Sequence, residues 1–403
     1  MPLKFNYIQA VILLFFALFG LKFIGIPVGL AKFVLLFLMF DFFKEYSFKD
    51  ILLKKTTLYV LLILLVLLIY SILITCVNGI YDFGFASKMV YIIYEPILLG
   101  SLLVNYLKRR LKLSFPKLLF SLSLCFAIQA FLTCISYFLP QVNSFFDIIL
   151  PNVGNLNLDS AQRVRGFSNL GGAWLSVLLS IGVLVNLQLI TLKFKNQIFN
   201  VVSLILCLAA TVITGRTGLM LSLIFIFIFL CYWIFFGRFR LFLKALRFLA
   251  ALSLSVYYFA PPLDDVVNEE TVDWAFEIFL NDSYSTGSTD ELSEMIYLPK
   301  DKVHLFFGVG FFENGALGYS RTDSGFIKTI FSAGLLGAAI LYGMYCIIAL
   351  QLFRKIWLYH KEFMLFFIMF FSSAFAVEFK EPFLLTIGLT SLIFLFYFYI
   401  LTQ

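Results

Sequence analysis

Long, nearly uninterrupted apolar segments dominate the pattern of hydrophobic and polar positions along this chain. The segments "TLYVLLILLVLLIYSILITCV" (57–77) and "LMLSLIFIFIFLCYWIFF" (219–236) each supply about the 20 apolar residues with which a helix crosses a 30 Å hydrocarbon core. They lack the in–out alternation of membrane β-barrel strands. The pattern therefore predicts an all-α polytopic membrane protein. Twelve membrane spans are expected near residues 8–24, 28–43, 57–78, 88–107, 117–139, 167–190, 198–214, 217–236, 241–260, 325–352, 363–378 and 383–401.

Charged residues between these segments predict how the chain is oriented. Lys and Arg accumulate in every second connection, for example in "KEYSFKDILLKK" (44–55) and "RFRLFLKALR" (238–247). By the positive-inside rule these connections and both termini are cytoplasmic. The chain is then organised as helices one to five (1–139), a first long outward loop (140–166), helices six to nine (167–260), a large acidic outward loop (261–323) and helices ten to twelve (324–403). A long connection of this kind is more often a functional lid than a tether.

Composition narrows the chemistry that the chain can perform. Of its 403 residues 62% are hydrophobic and 13% are charged. The six cysteines all fall in apolar stretches, and the two histidines, His304 and His360, lack metal-site spacing, so we expect no metal and no cofactor. The segment "GVGFFENG" (308–315) lacks the strand-to-helix context of a nucleotide-binding loop. No sequence feature predicts nucleic-acid binding.

Four arginines lie on the outward side, where basic residues are usually depleted. They are Arg163, Arg165, Arg216 and Arg321. The planar guanidinium group binds phosphate oxygens bidentately, so arginines converging from separate spans would form a diphosphate site. For each arginine alone, a side chain reaching lipid headgroups or pairing with a loop carboxylate is an equally good explanation.

Other polar residues extend the list of candidates. Glu95 lies within the fourth span beside Pro96, which is expected to kink the helix. Glu378 and Lys380 stand in the last outward turn, either as a solvated loop or as part of a site. Asp323 precedes the tenth span, where a carboxylate could orient or deprotonate a sugar hydroxyl, or cap the helix.

Three motifs resemble those of bacterial Wzy-type O-antigen polymerases, which belong with the O-antigen ligases. They are "RVRGFSNLGGAW" (163–174), "TGRTG" (214–218) and "FFGVGFFENG" (306–315) continued by "TDSGFIKTIFSAGLLG" (322–337). The ligases carry a histidine where this chain has Asp323 and Ser324, which favours a polymerase. The Asn-Pro-Asn of many relatives is here "NLGG", which retains Asn169.

The resemblance implies a glycosyltransferase C-like membrane fold and an enzyme of the bacterial inner membrane that acts at the periplasmic face. It would transfer a growing glycan from undecaprenyl diphosphate to the non-reducing end of a lipid-linked repeat unit, without a metal. Arg163 or Arg165, with Arg216, would bind the diphosphate, and Arg321 and Asp323 would face the acceptor sugar, with Asp323 and Arg216 catalytic. The other substrate-binding candidates are Asn169, Glu95, Glu378 and Lys380. Membrane lipid, a chain-length regulator and a flippase are the implied partners. The alternatives are an O-antigen ligase acting on the lipid A core and, in a different class, a transporter or flippase of lipid-linked oligosaccharides.

Overall fold

All regular structure in the described part of the chain is helical. The computed structural model describes residues 5–26, 28–44, 55–151, 164–243, 247, 296–312 and 322–402. We number the helices α1 (Phe5–Leu18), α2 (Leu30–Phe43), α3 (Lys55–Val77), α4 (Gly84–Arg109), α5 (Phe115–Phe138), α6 (Pro140–Ile149), α7 (Gly172–Thr191), α8 (Gln197–Thr214), α9 (Arg216–Phe235), α10 (Lys302–Phe307), α11 (Gly325–Tyr359), α12 (Met364–Glu378) and α13 (Leu389–Leu401).

Seven of the described helices are long and apolar enough to cross a membrane: α3, α4, α5, α7, α8, α9 and α11. The helices α1 and α13 are apolar but shorter. The protein is therefore a multi-pass helical membrane protein. The predicted segments overlap described helices except for 241–260, which falls almost wholly outside the described residues; the count of twelve spans stays a prediction.

The chain divides into two compact units. Unit 1 comprises Met1–Gly20, Val28–Phe115 and Gly287–Gln403, and unit 2 comprises Leu21–Pro27 and Pro116–Thr286.

Unit 1 is built around α13, which is buried on all sides. Residues 389–400 are all shielded from solvent, as expected of a helix that is apolar around its whole circumference. Aromatic rings fill the space beside it: the ring of Phe396 lies 5.2 Å from that of Phe370 and 5.5 Å from that of Phe367. Edge-to-face packing of this kind adds to the free energy gained by burial alone.

Basic residues gather at one end of unit 1, which we call the basic end. Arg110 after α4 pairs with Asp41 of α2 at 3.2 Å, and Lys108 donates to the carbonyl of Tyr399 at the end of α13. The other members of the basic end are Lys44, Arg109, Lys112, Arg354, Lys355 and Lys361. The positive-inside rule associates such an end with the cytoplasm, so the topology expected from the sequence remains our prediction.

Unit 2 is built around α7, which packs against α8 and α9. A buried polar network joins three helices: Ser123 of α5 donates to Asn186 of α7 (2.7 Å), and Asn186 donates to Ser203 of α8 (3.0 Å). Interhelical hydrogen bonds of this kind stabilise helix packing in membranes.

Two irregularities interrupt long helices of unit 1. In α4, residues Ile93–Leu99 form a π-helical turn around Pro96, whereas the sequence predicted a simple kink. In α11, Gly334 has left-handed backbone geometry (φ 67°) and breaks the helix into two parts. Both positions hold polar or glycine-rich sequence within otherwise apolar helices, and π-helical turns are frequent at functional sites.

Candidate functional site

A one-residue turn in unit 2 places Arg216 at the start of a helix. The helix α8 ends at Thr214, Gly215 follows, and α9 begins at Arg216. A Cβ atom on Gly215 would lie 2.9 Å from Ser176 Oγ, and one on Gly218 would lie 2.1 Å from the backbone carbonyl oxygen of Ser176, so glycine is needed at residue 218 for the close approach to α7. The backbone N–H of Gly218 donates to the same Ser176 hydroxyl at 3.2 Å. The "TGRTG" motif therefore fixes the first turn of α9 against the first turn of α7.

The starts of α7 and α9 consequently lie side by side. A Cβ atom on Gly215 would lie 3.5 Å from the carbonyl carbon of Gly172, the first residue of α7. Helix N-termini carry unpaired N–H groups and partial positive charge, and two adjacent N-termini add their fields. With the guanidinium group of Arg216, this end of unit 2 is suited to bind an anion. We call it the paired-N-terminus site, formed by Asn169, Gly172, Gly215 and Arg216.

Asn169 stands in the segment that leads into α7. Its side-chain amide donates to the carbonyl of Lys22 at 3.4 Å, and Ser168 accepts from the N–H of Leu170 at 2.9 Å. These bonds hold the "SNLGG" segment beside the N-terminus of α7. Asn169 thus stands three residues before the first residue of α7, and its contact with substrate stays a prediction.

Arg165 is engaged by the protein itself. Its side chain is 7% exposed, and its Nη2 donates to Asp147 Oδ1 at 2.7 Å and to the carbonyl of Leu150 at 3.2 Å. Its Nη1 donates to the carbonyl of Pro151 at 2.7 Å. Arg165 therefore satisfies the carbonyls after α6 and pairs with a loop carboxylate, which is the second of the two explanations that its sequence position allowed.

We expect Arg165→Lys to lower the free energy of unfolding by about 1–3 kcal/mol, because one ammonium group cannot replace a buried fork that donates to three acceptors. Thermal unfolding of the purified protein in nanodiscs measures the loss. The matched control is Arg110→Lys, whose pair with Asp41 is 40% exposed on the arginine side and should contribute at most about 1 kcal/mol. Equal effects of the two substitutions would contradict a structural role for Arg165.

In unit 1, Asp323 lies just before α11 and is well exposed. Its side chain is 61% exposed and its Oδ1 lies 3.9 Å from Lys328 Nζ. The residue at the N-cap position is Ser324, and no side chain caps α11 there. The alternative that Asp323 caps this helix is therefore wrong, and its carboxylate faces solvent with one lysine near it.

Glu378 is fully buried close to the same helix start. Its Oε2 accepts the N–H of Leu384 at 2.7 Å, and its Oε1 accepts the hydroxyl proton of Tyr342 at 3.0 Å. A Cβ atom on Gly325 would lie 2.5 Å from Oε1, so the carboxylate sits against the first residue of α11. Glu378 therefore holds the loop after α12 to the start of α11, while its contact with substrate, and that of Lys380 two residues later, stay predictions.

Glu95 is buried in the π-helical turn of α4. It is 6% exposed, and the hydroxyl oxygens of Tyr91 and Ser391 near it are buried as well. Lys32 lies within electrostatic reach of Glu95, with its ammonium group 5.5 Å from the centre of the Tyr94 ring. These groups form a polar cluster of their own in the interior of unit 1.

The structure thus distributes the predicted residues over two places. It gathers Arg165, Asn169 and Arg216 in unit 2, and it holds Asp323, Glu378, Lys380 and Glu95 in unit 1. Arg163 and Arg321 lie outside the described residues. Sequence reasoning missed Ser176, Asp147 and Tyr342; only Asp147, an acidic residue in a mostly apolar loop, had a signal that could have revealed it. No three His, Cys, Asp or Glu side chains in the described part form a group that could hold a metal ion.

Comparison with protein families, with curated proteins and with solved structures found no match for this chain.

Proposed function

We propose that this protein is a membrane glycosyltransferase of the O-antigen polymerase type, which transfers a growing glycan from undecaprenyl diphosphate to a lipid-linked repeat unit at the periplasmic face of the bacterial inner membrane. The observation that supports this most is the paired-N-terminus site, where two membrane helices begin beside Arg216. The sequence resemblance supplies the substrate class, and the site supplies a place for its diphosphate.

The chemistry of the transfer suits such a site. When the bond between the anomeric carbon and the diphosphate breaks, negative charge grows on the departing phosphate oxygens. Fixed positive groups that bind this charge more strongly in the transition state than in the ground state increase the rate. Helix N-termini and a guanidinium group supply such charge without a metal ion.

The two arginines of the "RVRGF" segment take different roles in this proposal. Since three hydrogen bonds already engage the guanidinium group of Arg165 with Asp147, Leu150 and Pro151, we assign the diphosphate to Arg163 together with Arg216 and Asn169. Arg165 instead holds the residues after α6 to the segment that leads into α7. The contacts of Arg165 support this division, which the sequence alone left open.

The acceptor sugar is assigned to the start of α11. Asp323 is 61% exposed, as a residue must be if it is to orient or deprotonate a sugar hydroxyl, and Lys328 Nζ lies 3.9 Å from its Oδ1. Arg321, two residues earlier, and Lys380 complete the acceptor contacts in this proposal. Glu378 holds the start of α11 in place through its contact with Gly325.

Deleting the gene should collapse the surface-glycan ladder of the host to core plus one repeat, because repeats are made and exported but not joined. The measurement is a gel of surface glycan, with wild type as complementing control. Finished glycan that accumulates on its lipid carrier over unmodified core would instead indicate a ligase. Repeat units trapped on the cytoplasmic face would indicate a flippase and would contradict the enzymatic proposal.

A further inference from the structure

Residues 302–312 of unit 1 run beside α3 toward the basic end, reverse direction, and run back toward the C-terminal end of α3. The helix α10 ends at Phe307, Gly308 (φ 91°) reverses the chain, and residues 308–312 run back without regular secondary structure. Phe307 lies level with Tyr70, whose hydroxyl donates to its carbonyl at 2.9 Å. The side-chain amide of Asn78 donates to the carbonyl of Val309 at 2.7 Å, and a Cβ atom on Gly310 would lie 2.9 Å from the Cα atom of Thr75. Residues 307–312 therefore run along α3 toward the C-terminal end of that helix.

The other side of the returning segment contacts the break in α11. The N–H groups of Val309 and Gly310 donate to the carbonyl of Phe331 at 2.7 and 3.1 Å. Ser332 Oγ lies 2.9 Å from the carbonyl oxygen of Phe311. The carbonyl of Phe331 and the side chain of Ser332 both lie just before Gly334, which has left-handed geometry. At Gly334 the backbone of α11 contacts the backbone of residues 306–308.

The polar backbone groups of the returning segment are nearly all satisfied by side chains and carbonyls of α3, α11 and the following turn. Thr75 Oγ1 lies 3.2 Å from the carbonyl oxygen of Gly310, and Asp82 accepts the N–H of Phe312 at 2.8 Å. Residues 308–312 are also buried. Non-helical backbone at membrane depth is tolerated only when it is enclosed and paired in this way.

The depth of the reversal follows from the length of α3. Its apolar stretch Thr57–Val77 has 21 residues, about the number that crosses the hydrocarbon core. Tyr70 precedes Val77 by seven residues, so at 1.5 Å per residue Phe307 lies about 10 Å below the end of this apolar stretch. That end is the one opposite the basic end.

The outer surface of the segment is apolar at the same depth. The side chains of Val303, Phe306 and Phe307 are exposed on the surface of unit 1, whereas the charged residues Lys300, Asp301 and Lys302 stand before or at the first residue of α10. His304 Nδ1 lies 3.6 Å from Asp301 Oδ2 at this same end of the segment. An apolar face at hydrocarbon depth matches acyl chains, and charges at its upper end match the headgroup region.

We propose that residues 302–312 form a re-entrant hairpin, which enters the bilayer from the end of unit 1 opposite the basic end and presents Val303, Phe306 and Phe307 to lipid acyl chains. The long loop that the sequence assigned wholly to the aqueous side is thereby anchored in the membrane near its C-terminal end. This inference concerns membrane placement and does not rest on the proposed enzymatic activity.

Photo-crosslinking of the full-length protein in nanodiscs tests the hairpin. Lipids that carry a diazirine in the acyl chain are irradiated, and adducts are mapped by mass spectrometry. We expect adducts on Phe306 and Phe307, as on Leu73 in the exposed face of α3, and none on Tyr81, which is exposed beyond the end of α3. Labelling at Leu73 without labelling at Phe306 would overturn the proposal and would mean that another part of the chain covers this face.

A substitution provides an independent measurement. Phe306→Asp should lower the thermal unfolding midpoint in nanodiscs, because a carboxylate would enter hydrocarbon, whereas Tyr81→Asp should leave the midpoint unchanged. If both substitutions have no effect, residue 306 faces water and the hairpin lies above the membrane.

Discussion

Replacing Arg216 by alanine is expected to lower the rate of glycan transfer by about 10²–10³-fold, the usual cost of removing one group that stabilises transition-state charge. Arg216 begins α9 beside the start of α7, so its side chain and the two helix N-termini act on the same anion. Arg216→Lys should recover little of the rate, because an ammonium group cannot bind two phosphate oxygens in the geometry of the guanidinium fork. The measurement is elongation of a lipid-linked repeat unit by the purified protein in nanodiscs.

Two controls separate this effect from general damage. Arg240→Ala removes an exposed arginine after the opposite end of α9 and should leave the rate unchanged. The thermal unfolding midpoints of Arg216→Ala, Arg216→Lys and wild type are measured beside the rates, so that a loss of fold is distinguished from a loss of catalysis. Full activity of Arg216→Ala would contradict the assignment of the diphosphate to the paired-N-terminus site.

Gly334→Ala should lower the free energy of unfolding by about 2–4 kcal/mol, which combines the strain of a left-handed alanine with overpacking. The new Cβ atom would collide with the carbonyl of Phe306 and lie 2.5 Å from the nitrogen of Gly308, both of which are backbone atoms that cannot rotate away. Thermal unfolding in nanodiscs measures the loss. Crosslinking to acyl-chain diazirine at Phe306 should decline in the same variant, because the hairpin is displaced.

The same helix offers a control for this substitution. Gly343 has ordinary helical geometry, and a Cβ atom there would meet nothing within 4 Å. Gly343→Ala should therefore raise stability by about 0.5–1 kcal/mol, as alanine does in a helix interior. A loss of stability at residue 343 equal to that at residue 334 would mean that helix packing in general, and not the contact with the hairpin, limits what α11 tolerates.

The sequence predicted the helices well where a long apolar stretch defined them. The bounds of α3 and α8 differ from the prediction by at most two residues, because hydrophobic length alone sets such spans. The helix α11 was predicted to end at residue 352, but it continues to Tyr359 through "RKIWLY". The part of a helix that extends beyond the membrane contains polar residues, so the length of an apolar stretch does not predict where such a helix ends.

The sequence did not predict the contacts between segments that are far apart along the chain. The small residues around Gly334 predicted close packing, which is confirmed, but the partner of Gly334 itself is the backbone of residues 306–308, where the short helix α10 ends. Similarly, the outward position of Arg165 was predicted, whereas its partner Asp147 depends on how α6 folds back. Tertiary structure decides which distant residues come into contact, and the local pattern of one sequence does not predict these pairs.

The π-helical turn in α4 also determines where this chain tolerates a change of length. A π-turn accommodates one residue more than an α-helix needs, so removing one residue within Ile93–Leu99 would close α4 into a regular helix with both flanks in place. Removing one residue beyond it, in Gly100–Arg109, would rotate the rest of the helix by about 100° and take Lys108 away from Tyr399. The additional residue is therefore not needed to keep the two ends of α4 in their places. It lies in the π-helical turn that contains Glu95.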